Sequence, residues 1–508
     1  MSAKTFFKAS SVLLMLFVAS RVVGFVREQV IAALLGTSAQ SDAFVVAVTI
    51  PFTFSTIIGV SAGNAFLPVY TARIQGRNGT RLGSTVFYLI GAFVAALTIL
   101  GYIFTPQVID LLAPGFVGES RHLALLCTRI MLPSTFFLTM GFLAKAALNA
   151  HREFAVPAAA PVWQNVLFLA LILPFGAMQG PGLAWCTLAG AVLFYLYNLP
   201  ALKKFGIPLL PKLDLNDPDV IKVVRLTIPV TISTLASRGF VFVDRWFGSH
   251  LPEGSIAALN FANRVRELPY GLFVTVVSSV LFPALAAAAS RRDMQQLSER
   301  TAMGLRLVAL IAYPSAAIML ALPEPLTRLL FERGAFDSSA TAATATALGF
   351  YSLSVAAMCA ISVLTCTFLS LGDAVLPLVF GLAGLAINIV ADYLLVGSMR
   401  HAGLATGNTV GFFITAVLLL VFLSQRLPGF DWKKQAKDQL KILTATVVAA
   451  LVMRLIGGYT GLFAGTITLT GLLLGMTVAV GAAGTIFIFI LVLFKVEETS
   501  FIRRRIIK

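Results

Sequence analysis

Long apolar runs separated by short polar loops extend along almost the whole chain. Residues 86–100 and 471–494, for example, contain no charged side chain. A hydrocarbon core of about 30 Å needs roughly 20 helical residues. A membrane barrel would instead show ten-residue segments of alternating polarity. The pattern therefore predicts an all-α integral membrane protein.

About fourteen stretches have the length and apolarity of a membrane crossing. Each is expected to be a helix, because backbone polar groups find no water inside lipid. The first stretch begins like a signal peptide, with Lys4 and Lys8, but it continues past Arg21 and is interpreted as a span. The approximate limits of the predicted spans are 6–34, 42–70, 83–106, 122–150, 157–179, 182–200, 220–247, 256–288, 301–322, 341–371, 374–398, 403–424, 438–458 and 466–494.

Composition supports a membrane protein. Of the 508 residues, 58% are hydrophobic and only 12% are charged, whereas about a quarter of a soluble protein is charged. These proportions exclude a soluble globular enzyme and a disordered chain. The four cysteines lie in apolar stretches without CxxC spacing, so we interpret them as packing residues.

Basic residues concentrate in alternate loops, and the formal net charge is +16. The loops around residues 73–81, 203–212, 291–300 and 426–441, and the C-terminal residues 503–508, are basic. Because cytoplasmic loops carry an excess of Lys and Arg, both termini are expected to be cytoplasmic. Nucleic-acid binding is not favoured, since these loops lack interleaved aromatic residues.

Two regions roughly 215 residues apart repeat the same elements, which indicates two parallel halves with a transport site between them. The first contains Ser20-Arg21, FVRE at 25–28, Pro51 and FLP at 66–68, and the second contains Ser237-Arg238, FVDR at 242–245, Pro269 and LFP at 281–283. The predicted fold has two parallel six-helix lobes, 1–202 and 220–425, joined by a cytoplasmic linker, 203–219. Two extra helices and a basic cytoplasmic tail fill 426–508.

Several charges fall inside the predicted spans. A charge at the bilayer centre costs about 3 kcal/mol on insertion scales, so it must face a cavity or a partner. Arg21, Arg238 and Arg264 are examples, and Glu267 is placed to meet Arg264. Arginines outnumber acids in these spans, which favours a site for an anionic, phosphate-like ligand. The alternative is that they snorkel to the interfaces or form inert pairs.

Asn388 and Asp392 form a second polar constellation. Their i, i+4 spacing places both oxygens on one helix face, and Asn408 and Asp244 are candidates to add further oxygens. Such oxygens suit a hard cation such as sodium, and a buried carboxylate can alternatively carry a proton. A simple hydrogen bond between helices is equally compatible with the pattern.

No motif for direct ATP hydrolysis and no nucleophile–base cluster is present. The acidic run DLNDPD at 214–219 is the only candidate metal motif for a membrane enzyme. It lacks the Gly and the final Glu of a calcium loop. We therefore interpret it as the cap of the seventh span, with Asp217 or Asp219 before or near the helix start at Pro218.

The motifs resemble those of the MurJ/MviN family. The resemblance rests on SRVVGFVREQVIAALLGTSAQSDAF at 20–44, NAFLPVY at 64–70 and NFANRVRELPYG at 260–271, and it extends along nearly the whole chain. It implies a fourteen-helix member of the multidrug/oligosaccharidyl-lipid/polysaccharide exporter superfamily. The implied activity is flipping of lipid II, an undecaprenyl-pyrophosphate precursor of peptidoglycan, across the bacterial cytoplasmic membrane.

The resemblance also implies site residues. Substrate-binding residues by motif are Arg21, Arg27, Arg264, Glu267 and Asp42, with Arg238 as a helper. Ion-binding residues by motif are Asp244, Asn388 and Asp392, and Asn408 falls where the family pattern has a Thr. One departure is that 52–58 contains no arginine, although many relatives have one there.

The sequence thus predicts a lipid transporter and not an enzyme. It would work by alternating access, coupled to the membrane potential and to an ion for which sodium is a candidate, with no other cofactor. Lipid-linked anionic substrate, membrane and cell-wall synthesis enzymes are the expected partners, and nucleic acid is not. The alternatives are a polysaccharide-lipid or multidrug exporter of the same superfamily, a polyprenyl-phosphate-handling enzyme, and a non-transporting scaffold.

Overall fold

The computed structural model describes residues 3–74, 79–206, 213–463 and 467–496. These residues are helical and contain no strand, which confirms the predicted all-α class. The helices are α1 (Ala3–Leu35), α2 (Ala39–Ser55), α3 (Ser61–Arg73), α4 (Gly79–Ile103), α5 (Thr105–Leu112), α6 (Gly118–Met131), α7 (Ser134–Ala150), α8 (Ala155–Phe175), α9 (Gln179–Leu196), α10 (Leu199–Lys204), α11 (Pro218–Gly248), α12 (Ser255–Val276), α13 (Phe282–Ser290), α14 (Met294–Ala321), α15 (Pro323–Phe331), α16 (Ser338–Ser370), α17 (Val375–Met399), α18 (His401–Arg426), α19 (Trp432–Tyr459) and α20 (Leu469–Leu493).

Many of these helices are long and apolar enough to cross a membrane. Within the described residues there are eleven such segments, or twelve when the bent pair α6 and α7 is taken as one span. One segment, Ala155–Lys204, contains a hairpin of α8 and α9, since Gly182 packs against the carbonyl of Phe175 and Gly190 against Gln164. The multi-pass architecture is confirmed, and the count of fourteen stays a prediction.

The chain forms two compact units, of which unit 1 comprises Met1–Ala257 and Arg333–Phe336. Its core includes the stacked rings of Phe66 and Tyr70, 4.6 Å apart, together with buried Leu82 and Leu143. Helices in lipid associate through close packing of small residues. Gly63 of α3 provides such a contact, because a Cβ there would lie 3.3 Å from the Cβ of Ala146 in α7.

Unit 2 comprises Ala258–Glu332 and Asp337–Lys508. In it α17 and α18 form a close pair, in which Gly403 packs against the carbonyl of Leu395. The predicted extra helices correspond to α19 and α20. Helix α19 is joined to α14 by the Tyr313 hydroxyl, which donates to Gln439 Oε1 at 2.6 Å. The predicted limits of the lobes stay a prediction.

Each unit contains a π-helical turn that interrupts a long helix. The turns are Thr56–Val60, between α2 and α3, and Val277–Leu281, between α12 and α13. Hydroxyls contribute to both, since Thr56 Oγ1 donates to the Phe52 carbonyl at 2.7 Å and Ser279 Oγ donates to that of Thr275 at 2.7 Å. Wider turns of this kind often accompany function, and they follow the equivalent prolines of the sequence repeat.

Three glycines with positive φ bring three turns of unit 1 into backbone contact. They are Gly36 (φ +57°), Gly254 (φ +86°) and Gly334 (φ +61°). The amide of Ala335 donates to the Ala33 carbonyl at 2.8 Å. A Cβ on any of the three glycines would overlap a backbone carbonyl of a neighbouring turn. Both the left-handed backbone and the close approach therefore require glycine.

Candidate functional site

Arg21 and Arg238 are exposed arginines within membrane-length helices of unit 1. Arg21 lies about 27 Å from the start of α1 and about 21 Å from its end, at 1.5 Å per residue. Its guanidinium carbon is 5.3 Å from the ring centre of Phe17. Among the described residues, neither arginine has an acidic group within 4.0 Å. Neither arginine is therefore held in an ion pair within the described residues.

Arg27 is held differently, although the sequence groups it with Arg21. Its Nη2 donates to Glu28 Oε1 at 2.7 Å and its Nη1 donates to Asn165 Oδ1 at 3.0 Å. The ring of Phe168 lies 5.5 Å away. Glu28 is buried, 6% exposed, so this ion pair is partly desolvated. Asn165, which holds Arg27 from α8, is a residue that the sequence did not single out.

Arg264 and Glu267 are both partly exposed in α12 of unit 2, with Nη1 and Oε2 3.6 Å apart. This separation confirms that the two side chains meet across one turn, as their spacing predicts. Glu267 Oε1 also accepts from Asn263 Nδ2 at 3.1 Å. The pair is loose and open, so Arg264 can exchange its carboxylate partner for another anion at modest cost.

Asp42 has a structural task in unit 1. Its two carboxylate oxygens accept from the backbone N–H groups of Gly254 and Ala257, each at 2.7 Å. Asp42 is 4% exposed. Because the first N–H groups of a helix have no partner within the helix, the carboxylate caps the start of α12. Both of its oxygens are engaged, so the substrate role that the resemblance gives it stays a prediction.

Asp244 and Arg245 are buried near the end of α11 in unit 1. Arg245 Nε donates to Thr49 Oγ1 at 3.4 Å. The predicted partners of Asp244 in the ion site, namely Asn388, Asp392 and Asn408, belong to unit 2. Their assembly with Asp244 stays a prediction, as does the gathering of Arg21, Arg27, Arg238 and Arg264 around one cavity.

Asn388 and Asp392 do lie together on α17, completely buried. Asn388 Nδ2 donates to Asp392 Oδ2 at 3.0 Å. Asn388 Oδ1 is buried and has no hydrogen-bond partner among the described residues. On α18, Gly407 packs so closely on Asp392 that a methyl group there would overlap the carboxylate. Asn408 follows Gly407 directly in α18, so the predicted carboxylate and amides lie on two closely packed helices, α17 and α18.

This donor set fits a monovalent cation. It combines one buried carboxylate with amide oxygens, one of which lacks a donor, and hard cations prefer such oxygen ligands. Within the described part of the chain, no group of three or more His, Cys, Asp or Glu residues is arranged to hold a metal ion. A divalent site of several carboxylates is therefore not formed there.

Arg266 is the charged residue that the predicted site omitted. It is 6% exposed, and its Nη1 donates to Asn408 Oδ1 at 2.8 Å. Arg266 follows Arg264 by two positions, so the two side chains leave different faces of α12. The two-residue spacing indicates this difference in direction. It does not indicate the partners of Arg266 on α16 and α18, which are far away in the chain.

The interpretation of the acidic linker run as a helix cap is confirmed. Asp217 Oδ1 accepts from the backbone N–H of Asp219 at 2.9 Å, before α11 begins at Pro218. Arg73 pairs with Asp217 at 2.9 Å and with Asp219 at 2.6 Å. Arg81 lies 3.2 Å from Asp214. Each of the three carboxylates of the run therefore pairs with an arginine.

Comparison with solved structures shows the fold. A structure titled "Lipid II flippase MurJ, inward closed conformation" has a TM-score of 0.79 and 23% identity, covering 97% of this chain and 100% of that one. An inward-facing multidrug resistance MATE family transporter of the MOP superfamily has a TM-score of 0.69 and 15% identity, covering 81% of this chain and 95% of that one.

Comparison with sequences shows the family. The family model described as lipid II flippase MurJ matches residues 31–473. Lipid II flippase MurJ of Burkholderia cenocepacia is 30% identical over 450 residues, which cover 85% of this chain and 86% of the relative. The probable lipid II flippase MurJ of Rickettsia prowazekii is 27% identical over 491 residues, covering 94% and 96%. The chain therefore belongs to the MurJ family of lipid II flippases.

Proposed function

We propose that this protein flips lipid II across the bacterial cytoplasmic membrane. The observation that carries the proposal is the pair Arg21 and Arg238, exposed in membrane-length helices of a chain that belongs to this family. An arginine inside a span is expensive unless it faces water or a ligand. A pyrophosphate-linked lipid supplies a matching anion.

The chemistry of the headgroup fits guanidinium groups. Arginine remains charged at every physiological pH and donates two parallel hydrogen bonds to phosphate oxygens. Arg21 and Arg238 would hold the pyrophosphate, and Arg264 would join after releasing Glu267. Arg27 would act from within its ion pair with Glu28. The polyprenyl tail would stay in lipid, beside the apolar helices α19 and α20.

Translocation would proceed by alternating access of one site to the two sides of the membrane. A cation at Asn388, Asp392 and Asn408, with Asp244, would bias the return step, and sodium is the candidate. The membrane potential adds about 2.3 kcal/mol per 100 mV for each charge moved. The protein acts as a transporter, with both termini in the cytoplasm and cell-wall synthesis enzymes as partners.

Complementation of a flippase-depleted strain tests the proposal. Single Arg21→Ala and Arg238→Ala variants should reduce growth, and the double variant should abolish it at equal protein level. Arg121→Ala is the matched control, because Arg121 is an exposed arginine that pairs with Asp110 at 2.7 Å outside this set. Normal growth of the double variant would refute the role of the arginines. Failure of the unaltered chain to complement would refute lipid II as substrate.

A second candidate function is drug export, which the similarity to the MATE fold favours. Such an exporter would bind cationic drugs, and exposed arginines without nearby acids oppose that substrate class. Whole-cell dye efflux distinguishes the two functions. Efflux that depends on this chain and survives Arg21→Ala would support export of drugs.

A further inference from the structure

Arg266 is a buried cation held by neutral groups. Its Nη1 donates to Asn408 Oδ1 at 2.8 Å and to Ser354 Oγ at 3.1 Å, and its Nη2 donates to Asn263 Oδ1. The ring centre of Tyr351 lies 4.2 Å from the guanidinium carbon. Among the described residues, no carboxylate lies within 4.0 Å of it. Amide oxygens and aromatic faces thus replace the water that the charge has lost.

The amide oxygen that accepts from Arg266 belongs to Asn408, which is one of the predicted cation ligands. Asn408 follows Gly407, whose Cα rests on the carboxylate of Asp392. On α17, Asn388 Nδ2 donates to Asp392 Oδ2 at 3.0 Å. Asn388 Oδ1 has no hydrogen-bond partner in the described part of the chain. A cation bound beside Asp392 would use Asn408 Oδ1 as a ligand. The guanidinium already engages that oxygen.

We propose that Arg266 is a tethered competitor of the mobile cation and sets the affinity of this pocket. When its guanidinium is docked on Asn408, the pocket lacks one oxygen ligand and already has a positive charge nearby. When the guanidinium leaves, the oxygen no longer accepts from Arg266 and the repulsion between like charges falls. Cation binding and docking of Arg266 therefore exclude each other. This inference rests on the cation site of the proposed function.

The position of Arg266 on α12 connects the competition with the candidate headgroup arginine, Arg264. Asn263 accepts from Arg266 through Oδ1 and donates to Glu267 through Nδ2 at 3.1 Å. Glu267 in turn pairs with Arg264 at 3.6 Å. One asparagine therefore positions both the tethered cation and the carboxylate beside the candidate headgroup arginine. Removing this asparagine should loosen the docked state without changing any ligand of the mobile cation.

Binding of radioactive ²²Na⁺ to the full chain in nanodiscs tests the proposal, with choline chloride keeping the ionic strength constant. Arg266→Met should bind sodium at least about tenfold more tightly than the unaltered protein, because it keeps an unbranched apolar stem and removes the charge and the donors. Arg266→Lys should stay within about threefold. The matched control is Arg454→Met, since Arg454 lies over the ring of Phe463 in the same unit at 6.0 Å, and its affinity should be unchanged. Adding Asp392→Asn to Arg266→Met should abolish binding.

Two milder variants cover the case in which Arg266→Met does not fold. Ser354→Ala and Asn263→Ala each remove one acceptor from Arg266, and each should raise sodium affinity about threefold to tenfold.

Three results would contradict the proposal in distinguishable ways. Equal sodium affinity in the unaltered protein and in folded Arg266 variants, lost with Asp392→Asn, overturns the competition and leaves the cation site standing. Unchanged affinity in both milder variants likewise overturns the competition alone. Absence of saturable sodium binding in every variant overturns the competition together with the cation part of the proposed function, while complementation still reports on lipid flipping.

Discussion

Replacing Asp42 with Ala removes the cap at the start of α12. Two backbone N–H groups, those of Gly254 and Ala257, then lose acceptors that now lie at 2.7 Å. Hydrogen bonds to a charged group contribute about 1.5–3 kcal/mol each, so two of them set an upper limit of about 6 kcal/mol. Loss of a cap alone costs about 0.5–2 kcal/mol. Water entering the vacated site offsets part of the loss, and we expect a net cost of about 2–4 kcal/mol.

Thermal unfolding of the purified protein in detergent measures this cost. A loss of that size should lower Tm by about 5–10 °C for a unit of this length. The Tm of Asp42→Asn should fall by about half as much, because the amide keeps one acceptor but presents a donor to the other backbone N–H. Asp110→Ala is the control, since Asp110 forms only an exposed pair with Arg121, and its Tm should stay within about 1 °C. Equal shifts for Asp42→Ala and Asp110→Ala would refute the capping argument.

Other outcomes follow from packing and charge. Gly407→Ala should destabilise the protein by about 1–3 kcal/mol through overlap with Asp392. A Cβ added at Gly397 would have no neighbouring atom within 4 Å, so Gly397→Ala should not lower Tm. Backbone N–H groups at the start of α17, and Arg426, lower the pKa of Asp373. The stability from this carboxyl is therefore present above its unfolded pKa of about 3.9 and lost as pH falls through the lower folded value. Between pH 5 and pH 3 the Tm of Asp373→Asn should accordingly fall less than that of the unaltered protein, and parallel curves would contradict the assignment.

Local sequence signals predicted much of the fold. Apolar length predicted the membrane helices, and the order of Asp217 and Pro218 predicted the start of α11, where the carboxylate caps the helix. The i, i+4 spacing of Asn388 and Asp392 predicted that their side chains share one helix face, where they are hydrogen-bonded. These successes share a cause, because each depends on residues that are close together in the chain.

Sequence reasoning was weaker where partners lie far apart in the chain. Arg266 meets Asn408 across 142 positions, and Asp42 meets Ala257 across 215. No local pattern indicates which distant amide a buried guanidinium will reach. Arg27 shows the same limit, since no local pattern indicated its contact with Asn165 on α8. Charge identifies candidate site residues, and tertiary packing decides which of them remain available.

The meeting of Gly36, Gly254 and Gly334 through bare main chain has an energetic consequence. Backbone surfaces that pack without side chains restrict no side-chain rotamers. Bringing these turns together therefore avoids the loss of conformational entropy that lysine- or methionine-rich surfaces would incur. Substituting any of these glycines is strongly unfavourable for the same reason, because a single added methyl group has no flexible neighbour to displace. A backbone contact of this kind can form and separate repeatedly at little entropic cost. Its three glycine positions tolerate almost no mutation.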